Sequence, residues 1–555
     1  MTGSHPRVLV IGLDGASPDL VRRWTDSRDL PALRSLVERG SFGPLLSTIP
    51  PVSPTAWSTF MTGQNPANHG VLGFRNLDAR RYEYHEPDIV SSERIAGKTF
   101  WDCAGGRGLR IGALWVPITY PPWPVNGVLV SGYPTPDSAR SFGHPESVAA
   151  ALPGLTENSA FFNSARPDRV ASELIRLARD RGHVAAELLR LETFDLFVVV
   201  LGSIDRAQHD FWRHHDPRSP LHDPAEANQY GSTILDTYRA SDRAIAELLE
   251  AVSPNTTLFV LSDHGAGGAA DRAVHLNAWL RHQNLLVARP PGPARRALAA
   301  SYRWLKDHVA SKEQLFRLLP PSLRRQVTAF DAAAMFGLRS VNWAQTRAYR
   351  FPLYPPFEGI AINLAGRQPQ GCVALRDYEP LRDCILADLR KLCDPRDGEA
   401  IVERVFRREE VFAGAHLERL PDIVVEFRPG YAGGPALWGH WLGAVPVRQL
   451  RKLSGQHRMD GILIAAGAAL RHGAKIEGAT LADLAPTILY ALGLPHPTSM
   501  DGRVLTELFD PTYVAEHPVE SVEADLPQAK PTSQGLSARE QAEIAERLRA
   551  LGYMD

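Results

Sequence analysis

Cysteine is scarce in this chain. Its 555 residues contain four, Cys103, Cys372, Cys384 and Cys393, none of them in a CxxC pair. That excludes a disulfide-dense scaffold and a thiolate zinc cluster, so any metal has to be sought among histidines and carboxylates. A surplus of one charge is lacking too: 61 Lys plus Arg stand against 62 Asp plus Glu, a formal charge of -1. This argues against a global electrostatic footprint for nucleic acid or anionic membrane. Long apolar runs are also missing, since nothing approaches the roughly 18 to 20 residues needed to span a bilayer. The stretch Met1 to Arg7 is short and polar. The expectation is a soluble cytoplasmic protein with a core large enough for a big α/β enzyme.

What the chain does contain is a repeated pattern of apolar runs that end in acids. Val8-Leu9-Val10-Ile11-Gly12-Leu13 leads to Asp14-Gly15, Phe197 to Leu201 leads to Asp205, and Leu258 to Leu261 leads to Asp263-His264-Gly265. Such runs read as strands buried on both faces, as a parallel sheet requires. Gly461 to Ala465 is a further strand. Ser232 to Val252 and Leu481 to Leu489 carry helical spacing, the latter closed by Gly493. The alternation predicts an open α/β sheet with helices on both sides.

A catalytic domain is expected over 1–508, interrupted by an Arg-bearing, Pro-broken helical cap at 285–346. A Pro-containing linker at 509–536 and a C-terminal helix and tail at 537–555 follow, with Ser537 as N-cap and Glu540 at the capping-box position.

The chemistry-bearing residues are sparse. Asp14 follows a strand, where capping the next turn is the plain alternative. In Pro50-Pro51-Val52-Ser53-Pro54-Thr55-Ala56-Trp57, prolines fix the approach to a helix-like stretch headed by a hydroxyl. A hydroxyl at a helix N-terminus faces unpaired amides and the positive end of the dipole, which suits a nucleophile receiving a phosphate. The plain alternative is that Ser53 or Thr55 only caps the helix. Asp205 and His209 are four residues apart, on one face if helical, and Asp263-His264 can contact one cation from a strand end. His457 sits in a Gly-flanked loop before the last strand. His69 reads as structural, and His214 and His215 as rim or solvated residues.

Taken in order, Asp14, Ser53, Asp205-x-x-x-His209, Asp263-His264 and Gly455-x-His457 resemble the alkaline phosphatase superfamily, closest to its type I phosphodiesterase/nucleotide pyrophosphatase branch and related phosphohydrolases or phosphomutases. The likeness extends through Pro117-Ile118-Thr119-Tyr120-Pro121-Pro122, Asn363-Leu364-Ala365-Gly366-Arg367, Met500-Asp501-Gly502-Arg503 and the ending Leu548-Arg549-Ala550-Leu551-Gly552-Tyr553. The resemblance implies an alkaline-phosphatase-like sandwich with a central, mostly parallel sheet flanked by helices. It also implies two divalent ions, zinc or else manganese. Asp14, Asp263 and His264, with the Ser53 oxygen, would hold one ion, and Asp205, His209 and His457 the other. Ser53 would be the covalent nucleophile of a phosphoric ester hydrolase.

Departures narrow the expectation. Ala56 stands where nucleotide pyrophosphatases of the branch carry Asn, Pro54 and Trp57 break the sulfatase pattern, and the Asn-Ser-Glu context of cofactor-independent phosphoglycerate mutases is missing. Lys98 and Arg367 are further candidate phosphate partners. Arg295, Arg296, Arg324 and Arg325 of the cap read better as a solvated face. The expected partner is a small phosphoester, with no nucleic-acid polymer and no membrane, and the oligomeric state stays open, a homodimer among the options. A phosphomutase on the same site, or a binding protein that keeps the fold without turnover, are the rival readings.

Overall fold

The computed structural model describes residues 7–82, 88–139, 141–151, 166–289, 340–523, 535–551 and 553. Its centre is an eight-stranded sheet. Seven strands are β1 (Val8–Leu13), β2 (Ser41–Leu46), β3 (Ile111–Val116), β4 (Gly127–Ser131), β5 (Gly143–His144), β6 (Leu196–Leu201) and β7 (Thr257–Leu261). The eighth is Asp460–Ala466, and the spatial order is β2, Asp460–Ala466, β7, β1, β6, β3, β4, β5. The five strands from β7 to β4 run parallel. Asp460–Ala466 opposes both of its neighbours and β5 opposes β4, so the expected mostly parallel α/β sheet is the one found.

The apolar runs form central strands because both of their faces are covered. Along β1, Val8 and Val10 point into one core with Trp57, Phe60 and Phe100, while Leu9, Ile11 and Leu13 point into the other with Trp24, Tyr238 and Ile245. The helix expected around 232–252 spans Thr233–Glu250 and packs in this second layer.

A second sheet was not anticipated. Ala348–Phe351, Phe357–Ile362, Ile423–Phe427 and Val402–Arg407 pair antiparallel in that order, around a core of their own that includes Phe351, Ile360, Ile385 and Val424. Its strands are short and interrupted by loops and a helix, so no long apolar run announces them. Most of the expected cap, including Arg295, Arg296, Arg324 and Arg325, lies outside the described residues; at its base Ala288 bridges Val341. Within 509–536, Pro511–Glu516 is helical and Ser521–Val522 pairs with His496–Pro497. The last helix, Ala538–Leu551, begins with Ser537 and Glu540 bonded reciprocally.

Candidate metal centre and nucleophile

Register sets the first group of candidate ligands. Gly12 of β1 is level with Leu261 of β7, so two residues further on Asp14 stands beside Asp263. The chain then turns at Gly15, whose φ of +73° favours glycine and where an added Cβ would lie 3.0 Å from that of Asp205. The Gly15 amide donates to Asp263 Oδ1 at 3.1 Å. Asp14, Asp263 and His264 each offer a ligand atom within 4.8 Å of the others.

Ser53 is the first residue of a ten-residue helix, Ser53–Thr62, buried throughout. Pro54 occupies the first turn, where a missing amide costs no helical bond. The cap position is Val52, and no side chain caps that end, so Ser53 does not serve as the N-cap. Its Oγ lies 3.4 Å from His264 Nε2. One turn on, Trp57 Nε1 donates to Asp14 Oδ2 at 2.9 Å. Gly12 makes room for that indole: an added Cβ there would meet Trp57 Cη2 at 2.5 Å. Asp14 is thus held by the helix that begins at Ser53 rather than capping its turn.

The second group comes from farther apart. Asp205 and His209 occupy successive turns of helix Ser203–His215, which starts directly after β6. His457 lies on Gly455–Arg458, which pairs antiparallel with β8 (Gly265–Gly268) so that His457 is level with Ala266. This pairing stacks the rings of His457 and His264 at 3.6 Å, joining the two groups. Asp205 Oδ1 is 3.3 Å from both His209 Nε2 and His457 Nε2, and those two nitrogens are 2.9 Å apart.

All three imidazoles are anchored from behind. Nδ1 lies 2.8 Å from the Gly455 carbonyl in His209, 2.7 Å from that of Pro51 in His457, and 3.1 Å from that of Gly265 in His264. A ring that donates from Nδ1 presents Nε2 as a lone pair. Two such lone pairs 2.9 Å apart repel unless a proton or cation lies between them. The carboxylates are likewise unsatisfied: Asp14 Oδ1, Asp205 Oδ1 and Asp263 Oδ2 are buried without hydrogen-bond partners, a costly arrangement that a cation relieves. The donor set therefore fits two divalent ions.

Charge crowding agrees with this. Burial, then the neighbouring Asp263 and Asp205, push the Asp14 carboxyl well above its usual range. Burial does the same to Asp263, with Asp205 adding to it. Burial opposes ionisation of Asp205 as well, but His209 and His457 outweigh it and hold that carboxyl well below the usual range. Burial, helped by His264, pulls His457 down to about 3.

Next to the two groups is a narrow cleft, open to solvent and lined by Asp14, Ser53, Asp205, Trp115, Arg181 and Tyr553 among others. Arg181 stacks over the Trp115 ring at 5.1 Å, and Arg206, also on the wall, pairs with Asp210 at 2.9 Å.

The structure gathers all seven residues singled out in the sequence, Asp14, Ser53, Asp205, His209, Asp263, His264 and His457. It does not bring Lys98 or Arg367 to the cavity wall. Lys98 is exposed, and Arg367 forks onto Asp422 at 2.7 and 2.6 Å. His69 is structural as expected, 2.9 Å from Thr59 Oγ1. His214 is buried beside Phe211 and Tyr230, not solvated, because its helix packs that side inward. Two contributors had no role assigned from the sequence: Trp57, four residues after Ser53, and Tyr553, whose hydroxyl lies 3.2 Å from Asp205 Oδ2 and 3.1 Å from His209 Nε2. The i to i+4 spacing was a signal for the first, and nothing local marks the second.

Residues 8–435 match the family described as type I phosphodiesterase / nucleotide pyrophosphatase. The fold is similar to that of phosphonoacetate hydrolase from Sinorhizobium meliloti 1021, solved with phosphonoformate, at 16% identity over 88% of this chain and 96% of that one, with a TM-score of 0.50. Murine ectonucleotide pyrophosphatase / phosphodiesterase 5, an inactive form solved with AMP, is also similar, at 16% identity over 92% of this chain and 99% of that one, with a TM-score of 0.47. No curated protein matches the sequence.

Proposed function

The chain belongs to the type I phosphodiesterase/nucleotide pyrophosphatase family, and from that premise we propose that it is a two-cation phosphoric ester hydrolase with Ser53 as its nucleophile. One observation carries the reading: two groups of ligand atoms, each within 4.8 Å, meet at the stacked rings of His264 and His457 beside the Ser53 hydroxyl. Asp14, Asp263 and His264, with the Ser53 oxygen, would hold one ion, and Asp205, His209 and His457 the other. When bound, the ions, zinc by the mixed Asp/His donors with manganese the main competitor, supply Lewis acidity that acidifies the serine hydroxyl and neutralises phosphoryl oxygens.

The rest falls to the chain. Helix Ser53–Thr62 presents its positive end to an incoming phosphoryl group. Ser53 Oγ bonds to phosphorus as the ester P–O bond breaks, and the proton lost by serine leaves with the alcohol. Water then bonds to phosphorus as the Ser53 Oγ–P bond breaks, its proton restores the hydroxyl, and phosphate is released from a monoester or a phosphate monoester from a diester. Arg181 on the wall, beside the Asp210-paired Arg206, suits an anionic substrate. With Ala56 in place of an amide donor, nucleotide diesters are disfavoured relative to simpler esters. The four cysteines are all unpaired, which favours a reducing, cytoplasmic setting.

The test is hydrolysis of an aryl phosphate monoester, an aryl diester and a nucleoside monophosphate ester by zinc- or manganese-loaded protein, beside Ser53→Ala. Turnover of at least one ester, lost in the variant, is the expected result. Equal hydrolysis by both proteins would refute the covalent route.

A further inference from the structure

Each acid of the site has one oxygen tied and one left facing the imidazoles. Asp14 is tied by Trp57 and Asp263 by the Gly15 amide, both from residues close to the first group. Asp205 Oδ2 accepts from the hydroxyl of Tyr553, 348 residues away, at 3.2 Å, and that hydroxyl also lies 3.1 Å from His209 Nε2, leaving Oδ1 beside His209 and His457. A phenol keeps its proton at neutral pH and can donate it to a carboxylate.

The segment that delivers this tyrosine is part of the body of the protein. In helix Ala538–Leu551, Ile544, Ala545, Leu548 and Arg547 are buried. Arg547 donates to the Thr135 carbonyl and to Asp137, Glu543 accepts from Ser138, and Tyr120 donates to Glu540. The Tyr553 amide then bonds back to the Leu548 carbonyl at 2.9 Å, and its ring lies 4.9 Å from Phe74. A helix fixed at this many points is a poor releasable plug and a good support.

We propose that Tyr553 is a positioning residue for the Asp205, His209 and His457 half of the site: the segment following helix Ala538–Leu551 supplies the hydroxyl that fixes which Asp205 oxygen faces the cation. The proposal rests on the two-cation reading above. Hydrogen-bond partners of metal ligands typically contribute about 10- to 100-fold in affinity.

Full-length wild type, Tyr553→Phe and Asp205→Asn are stripped of metal and titrated with zinc against a chromophoric chelator. Wild type is expected to take up two ions. Tyr553→Phe should take up two, one of them roughly 10- to 100-fold more weakly, with the stripped protein still unfolding cooperatively and lost activity recovered at higher zinc. Asp205→Asn identifies the affected half by losing the same ion. Unchanged zinc affinities in Tyr553→Phe would overturn the proposal. So would a rise in its activity at saturating zinc, which would make the tail an occluding element. A wild type that binds no zinc would overturn the two-cation reading itself.

Discussion

Asp14, Asp263 and His264 stand at the ends of adjacent parallel strands, whereas His209 and His457, 248 residues apart, meet only because a helix and a paired arm are folded against each other. In the first half, strand register alone sets two carboxylates side by side, and a neighbouring helix holds one of them through Trp57. In the second, the placement of each ligand depends on a different piece of tertiary structure, the final residues among them. Proximity in the first half is thus a property of the sheet, and in the second a property of the whole fold.

Replacing the serine beside the first half is expected to have the largest effect. Ser53→Ala should lower turnover on the order of 10³-fold or more while both ions stay bound, measured by steady-state kinetics and elemental analysis; loss of an ion would mean that the serine oxygen is needed to hold it. Next come Asp263→Asn and Asp205→Asn, each expected to retain one ion of two and to lose about 10²-fold or more in activity. If either variant loses both ions, the halves are not separable. Trp57→Phe removes the bond to Asp14 and should weaken zinc at the first half only, by roughly 10- to 100-fold.

Gly12→Ala forces a methyl against the Trp57 ring and should cost about 1–3 kcal/mol in denaturant unfolding. An alanine there without penalty would show that the indole is free to move. The smallest effect concerns His69, which is buried, packs through Thr59 against the helix that carries Ser53, and has its pKa lowered by burial from 6.5 to about 3. Below pH 6.5 the unfolded chain takes up a proton that the folded protein does not, so stability is full above that pH and lost as pH falls towards 3. From neutrality down to about pH 5 this amounts to about 2 kcal/mol, and His69→Gln should be flatter by that amount in paired unfolding curves.

The two halves were also unequally legible in the sequence. Val8–Leu13, Leu196–Leu201 and Thr257–Leu261 are dense apolar runs, and acids directly after them mark the edge of a parallel sheet. His457 had no such mark: only the order of motifs shared with a known superfamily put it with Asp205 and His209. β2, Ser-Phe-Gly-Pro-Leu-Leu, hides a strand behind Gly and Pro, and the antiparallel sheet around Phe357–Ile362 has strands of four to six residues that resemble loops between helices. Tyr553 was visible as a recurring ending, yet its partner is 348 residues away and no periodicity links them.

The main-chain carbonyls behind His209, His264 and His457 have a practical consequence. Because peptide groups aim these rings from the rear, the cleft is already shaped without an ion, and on the two-cation reading loading would require little rebuilding. One demetallated batch is therefore expected to accept zinc, manganese or cobalt in turn, with differences in rate reporting the cation's own chemistry and not a collapsed cleft.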